Sequence, residues 1–177
     1  MVLKEDDIKK DAVINIAKKM MLAARTAPKG RGINNLALII VTDETIKTIS
    51  VKMEEISLRT GSAFFSRDAQ NILHADAILL LGTVIKPVEM NDCGLCGMSN
   101  CDNKRKYKDV PCAFNVSDLG IAIGSAVSIA ADNRTDCRVM FTIGKAVKEL
   151  GIMGNDVKII YGIPLSATSK SPFFDRK

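Results

Sequence analysis

Tryptophan is absent from this chain, histidine occurs once, at His74, and aromatic residues make up only 5% of its 177 positions. A single imidazole leaves no credible Ser-His-Asp relay, and a lone histidine just ahead of an apolar run is expected to be a structural or surface residue. With so few rings there is little to stack on nucleic-acid bases. The net charge of +5 and the pI near 9.0 therefore read as solvated basic surface, with no nucleic-acid partner expected. No run reaches the roughly 18 apolar residues of a membrane span. The opening Met1-Val2-Leu3-Lys4-Glu5-Asp6-Asp7 mixes charges where a secretion signal would carry an apolar core, so a cytoplasmic protein with no membrane partner is expected.

What the chain does have is thiols, concentrated. Four of its five cysteines, Cys93, Cys96, Cys101 and Cys112, fall at C-x2-C-x4-C-x10-C spacing. In a reducing compartment such a cluster argues for metal or redox chemistry over disulfides, and the odd total agrees. Cys93 and Cys96 reach one centre from a single turn, while Gly94 and Gly97 let the backbone fold back and offer amides to sulfur. Three ligands in a tight run with one remote suits a 4Fe–4S cluster. Structural zinc, which more often uses two separated short pairs, is the alternative. Cys137 lies outside the spacing beside Asp136, and a packed bystander is expected there.

The rest of the chain reads as one α+β domain over 1–177, its central sheet covered by helices on both faces. Ile8, Ala12, Val13, Ile16, Ala17, Met20 and Ala24 share one face of a helix over 7–27 that Pro28 and Gly30 stop. Leu36 to Val41 is an unbroken apolar strand, expected to be buried on both faces. Thr42 and Asp43 are candidate caps for a helix that runs to Gly61, and a shorter helix is expected from near Ser66 to Asp76. Ala77 to Leu81 is the second buried strand. Ser117 and Asp118 are candidate caps for a helix whose Gly120, Gly124, Ala126 and Ala130 give a small-sided face suited to close packing or to a dimer interface. A last helix is expected from Asp136 to Leu150, then a strand from Val157 to Tyr161. The tail after Gly162 carries a Phe173-Phe174 pair that needs burial. Residues 86–116 lack apolar periodicity, are too long for an ordinary loop, and read as a cysteine-rich insertion that a metal would hold.

The run Asn91-Asp92-Cys93-Gly94-Leu95-Cys96-Gly97-Met98-Ser99-Asn100-Cys101 resembles the signature of four-cysteine 4Fe–4S modules in anaerobic redox proteins. Together with Asp118-Leu-Gly-Ile-Ala-Ile-Gly-Ser-Ala and the Gly162-Ile-Pro-Leu-Ser ending followed by Pro-Phe-Phe-Asp-Arg, it is similar, over nearly the whole chain, to uncharacterised bacterial and archaeal proteins containing a ferredoxin domain. A second, weaker resemblance rests on Ala23-Ala24-Arg25-Thr26-Ala27-Pro28 leading into an apolar strand, which looks like the start of the FMN-dependent nitroreductase superfamily. That likeness implies a nitroreductase-like fold, an intertwined homodimer and flavin at the subunit interface. Where that family usually has Ser and then Asn and Gln, this chain has Lys29, Gly32 and Asn34. Its arginine-rich flavin segment has no clear counterpart near Met1.

Two basic stretches bear on partners. In Lys29-Gly30-Arg31-Gly32 the glycines expose amides and the cations neutralise charge, so Lys29, Arg31 and Asn34 are the candidate contacts for FMN or another anion; solvated loop residues are the competing reading. Lys104-Arg105-Lys106-Tyr107-Lys108 either faces solvent or offsets the negative charge of a thiolate-bound cluster and attracts an acidic electron-carrier protein. The expected function is electron transfer, or flavin-linked reduction of a small acceptor, by an iron–sulfur protein. A zinc-stabilised structural or binding protein without redox activity is the alternative.

Overall fold

In the computed structural model, residues 1–174 are described. The helices α1 (Glu5–Thr26), α2 (Asp43–Thr60), α3 (Ala63–Ile72), α4 (Cys101–Arg105), α5 (Ala113–Asp132) and α6 (Phe141–Leu150) surround the strands β1 (Leu36–Val41), β2 (Ala77–Val84), β3 (Asp136–Cys137) and β4 (Val157–Ser166). The strands form one antiparallel sheet in the order β1-β2-β4-β3.

Both faces of β2 are covered, which is why its sequence shows no polar alternation. Ile78 and Leu80 enter a core with α2, α3 and α6, while Ala77, Leu79 and Leu81 enter another with α1 and α5. All five are fully buried, and each large one contributes about 1.5–3 kcal/mol. A one-residue slip against β4 would exchange the two sets, so this pattern and the Ala77–Leu165 pairing fix the register together. β1 differs from expectation. It is an edge strand, and only Leu36 and Val41 at its ends are fully buried.

Helix α1 and Gly61, a left-handed C-cap that closes α2, follow the sequence reading. Other boundaries do not, among them α3, which covers Ala63–Ile72 in place of a span from near Ser66 to Asp76. Helix α5 begins at Ala113, ahead of Ser117 and Asp118, so the last four residues assigned to the insertion are helical and Asp118 is a buried helix residue. Asp136 and Cys137 form the short strand β3 against Ser166 and Leu165, and α6 starts only at Phe141. Strand β4 runs on to Ser166 through Pro164, taking in much of the presumed tail.

On α5 the small residues divide. Ala122, Ala126 and Ala130 lie one turn apart, fully buried with Val13, Ala17, Met20 and Ala24 of α1, and Ser125 Oγ donates to the Ala23 carbonyl at 3.0 Å. Gly120 and Gly124 are exposed instead, because two residues of helix turn them about 200° from that stripe. Among the described residues α5 is the one helix long and apolar enough to cross a membrane; one side of it packs on α1 and β2, and 33% of its apolar window is buried.

A buried carboxylate anchors the opposite face. Asp68 accepts a hydrogen bond from Thr142 at 2.9 Å and pairs with Arg67 and Arg138. Arg138 also donates to the Phe173 carbonyl and lies over the Phe174 ring, holding the chain end against the core. Phe173 is fully buried, whereas Phe174 is exposed; Asp175 and Arg176 of the Pro-Phe-Phe-Asp-Arg ending lie outside the described residues.

Gly144 marks the closest helix–sheet approach. A Cβ there would sit 1.7 Å from the Ile160 carbonyl oxygen. Gly144→Ala is expected to destabilise the protein by about 3 kcal/mol, seen as a lower urea midpoint with unchanged slope.

Candidate metal centre

The cysteine segment leaves the sheet at the end of β2 and returns at α5, with only α4 as regular structure inside it. It is built from tight turns. Gly94 and Gly97 have φ of 60° and 80°, and the Gly97 amide donates to the Gly94 carbonyl at 2.9 Å, closing the loop between Cys93 and Cys96. Asn100 caps α4 by accepting from the Asn103 amide at 2.9 Å, which places Cys101 at the first helical position. Arg105 then ties α4 back to Glu89 and Asp102.

Cys93, Cys96, Cys101 and Cys112 all line one pocket, with Pro87, Val88, Met90, Met98 and Phe114 as its apolar wall. Cys112 is buried and is the N-cap residue of α5, where aligned backbone dipoles favour negative charge. All five cysteines are free of disulfides. Among the described residues no group of three or more His, Cys, Asp or Glu is set to hold a single metal ion. In its chemistry the donor set is the kind a cluster would use, thiols at separate positions around one shared space with an apolar wall. Cys137 stands apart on β3, and burial, with Asp136 beside it, raises its thiol pKa above the usual range. That disfavours the thiolate a metal requires.

The loop after α1 braces this pocket. Arg31 donates to the carbonyls of Val88 and Glu89 at 3.0 and 2.7 Å. Both carboxylate oxygens of Asp118 accept from the Gly30 amide at 3.1 Å, and Phe114 packs so closely on Gly30 that a Cβ would lie 2.7 Å from its ring. The Lys86 amide donates to Asn115 Oδ1 at 3.0 Å, fastening the start of the insertion to the first turn of α5. Lys29 donates to the carbonyls of Ala24, Arg25 and Ala27, occupying the acceptors at the C-terminus of α1. Burial and then Arg25 lower its pKa, while Asp118 opposes them. Asn34 is exposed and accepts from the Leu36 amide at 3.3 Å. The structure thus joins Arg31 to the rim of the cysteine pocket and leaves Lys29 and Asn34 in local backbone roles. His74 is exposed and lines a separate concavity with Arg67 and Gln70.

Two features of the site escaped the sequence reading. Asp118 looked like a helix cap, and Lys104 looked like one member of a charged run; Lys104 is 2% exposed and lines the cysteine pocket. A lysine flanked by charged neighbours carries no sequence mark that separates it from a solvated one.

Comparison with known proteins agrees with this architecture. The FMN- and NADPH-dependent nitroreductase NfnB from sphigopyxis sp. strain HMH superposes with a TM-score of 0.61 at 11% identity, over 93% of this chain and 83% of its own. A nitroreductase family protein from Clostridium novyi NT gives 0.59 at 14%, over 94% and 76%. The fold is therefore nitroreductase-like. A model of the family described as "Uncharacterized protein containing a ferredoxin domain (DUF2148)" matches residues 108–176, a span that includes Cys112 alone of the four clustered cysteines. An uncharacterized protein of Archaeoglobus fulgidus is 39% identical over 183 residues, covering 99% of this chain and 98% of the relative. The nearly full-length archaeal match and the four-cysteine pocket lead to one conclusion: this chain belongs to the family of uncharacterised proteins that contain a ferredoxin domain.

Proposed function

We propose that the chain is an iron–sulfur redox protein that holds one 4Fe–4S cluster on Cys93, Cys96, Cys101 and Cys112. The observation that carries this reading is the convergence of these four unpaired thiols on one apolar-walled pocket. Membership of a ferredoxin-domain family on a nitroreductase-like fold supports a redox role. When bound, the cluster supplies one-electron transfer. The protein's part is to ligate through the four sulfurs, to offer the loop amide of Gly94, and to keep water out with Val88, Met98 and Phe114.

Flavin is a second cofactor in this proposal, supported by the FMN dependence of the nitroreductase neighbour and by the contact of Arg31 with the pocket rim. Of the candidate contacts Lys29, Arg31 and Asn34, Arg31 is the one that reaches the pocket rim, while Lys29 and Asn34 would have to exchange their local backbone bonds for flavin; a flavin there would pair a two-electron carrier with a one-electron one. Partners follow from the surface. Val116 and Ile121 of α5, each 46% exposed, flank the exposed Gly120 and Gly124 and offer a face for a second copy, making a homodimer. The exposed Arg105, Lys106 and Lys108 suit an acidic electron carrier. We place the protein in the cytoplasm, where thiols stay reduced.

Protein purified without oxygen is expected to contain iron and sulfide near ~4 of each per chain. Cys96→Ser should lose both, and Cys137→Ser should keep them. Stoichiometric zinc without sulfide would overturn the redox reading in favour of a zinc-stabilised binding protein, and unchanged iron in Cys96→Ser would refute the ligand set. For flavin, FMN fluorescence should be quenched on titration, with Arg31→Ala weakening binding about tenfold, or about 1.4 kcal/mol. Unquenched fluorescence at saturating FMN would remove the flavin component.

A further inference from the structure

Lys104 is a cation in an environment that should reject it. The residue is 2% exposed, on a five-residue helix whose Asp102 and Arg105 are both exposed and paired with each other. Among the described residues no hydrogen bond or ion pair engages its ammonium, whose nitrogen keeps a narrow opening to water. Buried lysines normally meet a carboxylate or a set of carbonyls, because removing an ammonium from water without replacing its hydration is costly. Here the side chain lines the same pocket as the four cysteines, with Val88, Met98 and Phe114, and the other polar side chain in that lining, Asn100, is engaged in capping α4.

Four thiolates gathered around one centre supply the missing charge. We propose that Lys104 is the charge-compensating residue of the cysteine pocket: its ammonium donates to the sulfur atoms of the bound cluster, stabilises the more negative reduced state, and raises the reduction potential. This rests on the cluster reading above and extends it from ligation to tuning. Cys101 opens α4 and Lys104 is one turn later, so a single short helix delivers both a ligand and its counter-charge. The outward neighbours Lys106 and Lys108 are exposed and pass their charge to solvent, which separates Lys104 from the rest of the basic run. The coupled redox step adds one electron from an external reductant such as dithionite. No bond to Lys104 is made or broken.

The position carries a cost that shows when the pocket holds no cluster: the lysine is then a largely enclosed cation with no protein partner among the described residues. Replacing it with methionine, which keeps the aliphatic length, should have opposite consequences in the two states. Cluster-free Lys104→Met should unfold at a higher temperature than cluster-free wild type. Cluster-loaded Lys104→Met should show a more negative midpoint potential in a dye-mediated titration followed by absorption, while Lys104→Arg stays near wild type. Loss of iron and sulfide from Lys104→Met, with the cluster-free variant still folded and stabilised, would also support the assignment, since retention would then depend on the charge.

A Lys104→Met protein that keeps its iron and titrates at the wild-type potential would overturn the proposal and leave the ligand set standing. So would a cluster-free Lys104→Met less stable than wild type, which is the mark of a purely structural residue. Wild-type protein lacking iron and sulfide when purified without oxygen would remove the cluster reading and this inference together.

Discussion

A sheet whose central strands bury both faces leaves no room inside for a segment without apolar periodicity. β2 and β4 are enclosed between α2, α3 and α6 on one side and α1 and α5 on the other. The chain between β2 and α5 must therefore be held outside these two cores, against whatever the sheet's ends present. What they present is the loop after α1, which meets the insertion through Arg31 and meets α5 through the bond from the Gly30 amide to Asp118. A catalytic or ligand-binding loop on a rigid scaffold is a common arrangement, and here the scaffold supplies only the rim. The interior of the pocket comes from the insertion itself and the first turn of α5.

Electrostatics in that pocket are organised from three directions. Cys112 has the N-terminus of a long helix behind it, the turn closed by the Gly97–Gly94 hydrogen bond leaves the Gly94 amide to offer, and Lys104 brings a cation. All three favour negative charge at the same place. An apolar wall strengthens each of them, because screening by water is reduced. The same wall would link ligation to stability in the proposed reading, because four thiols and a lysine gathered in a space poor in water gain most when a bound group joins them.

Much of this was legible in the sequence. The unbroken apolar run at Ala77 to Leu81 could only be a strand covered twice, and the cysteine spacing singled out the four thiols that line one pocket. Gly61 announced the end of α2. What was not legible depended on partners distant in sequence. Ser117 and Asp118 have the chemistry of helix caps, yet α5 starts at Ala113 and the Asp118 carboxylate accepts from the Gly30 amide across the fold. Asp136 looks like another cap, but pairing with Ser166 makes it a strand residue. Lys29 and Arg31 read equally as anion contacts and as solvated cations, and their hydrogen bonds to carbonyls appear only when α1 and the insertion are placed together. Arg67, Arg138 and Thr142 gather on Asp68 from three separate stretches, with no local signal at all.

The nitroreductase-like fold does not by itself bring nitroreductase chemistry, since folds host many sites. The account turns on whether iron occupies the space the four sulfurs line. Anomalous diffraction from crystals grown and frozen without oxygen, recorded on both sides of the iron absorption edge, tests this directly. One strong iron peak bounded by Cys93, Cys96, Cys101 and Cys112, next to the Lys104 side chain, is the predicted result. A pocket without iron signal that instead shows a zinc peak, or iron ligated elsewhere, would contradict it.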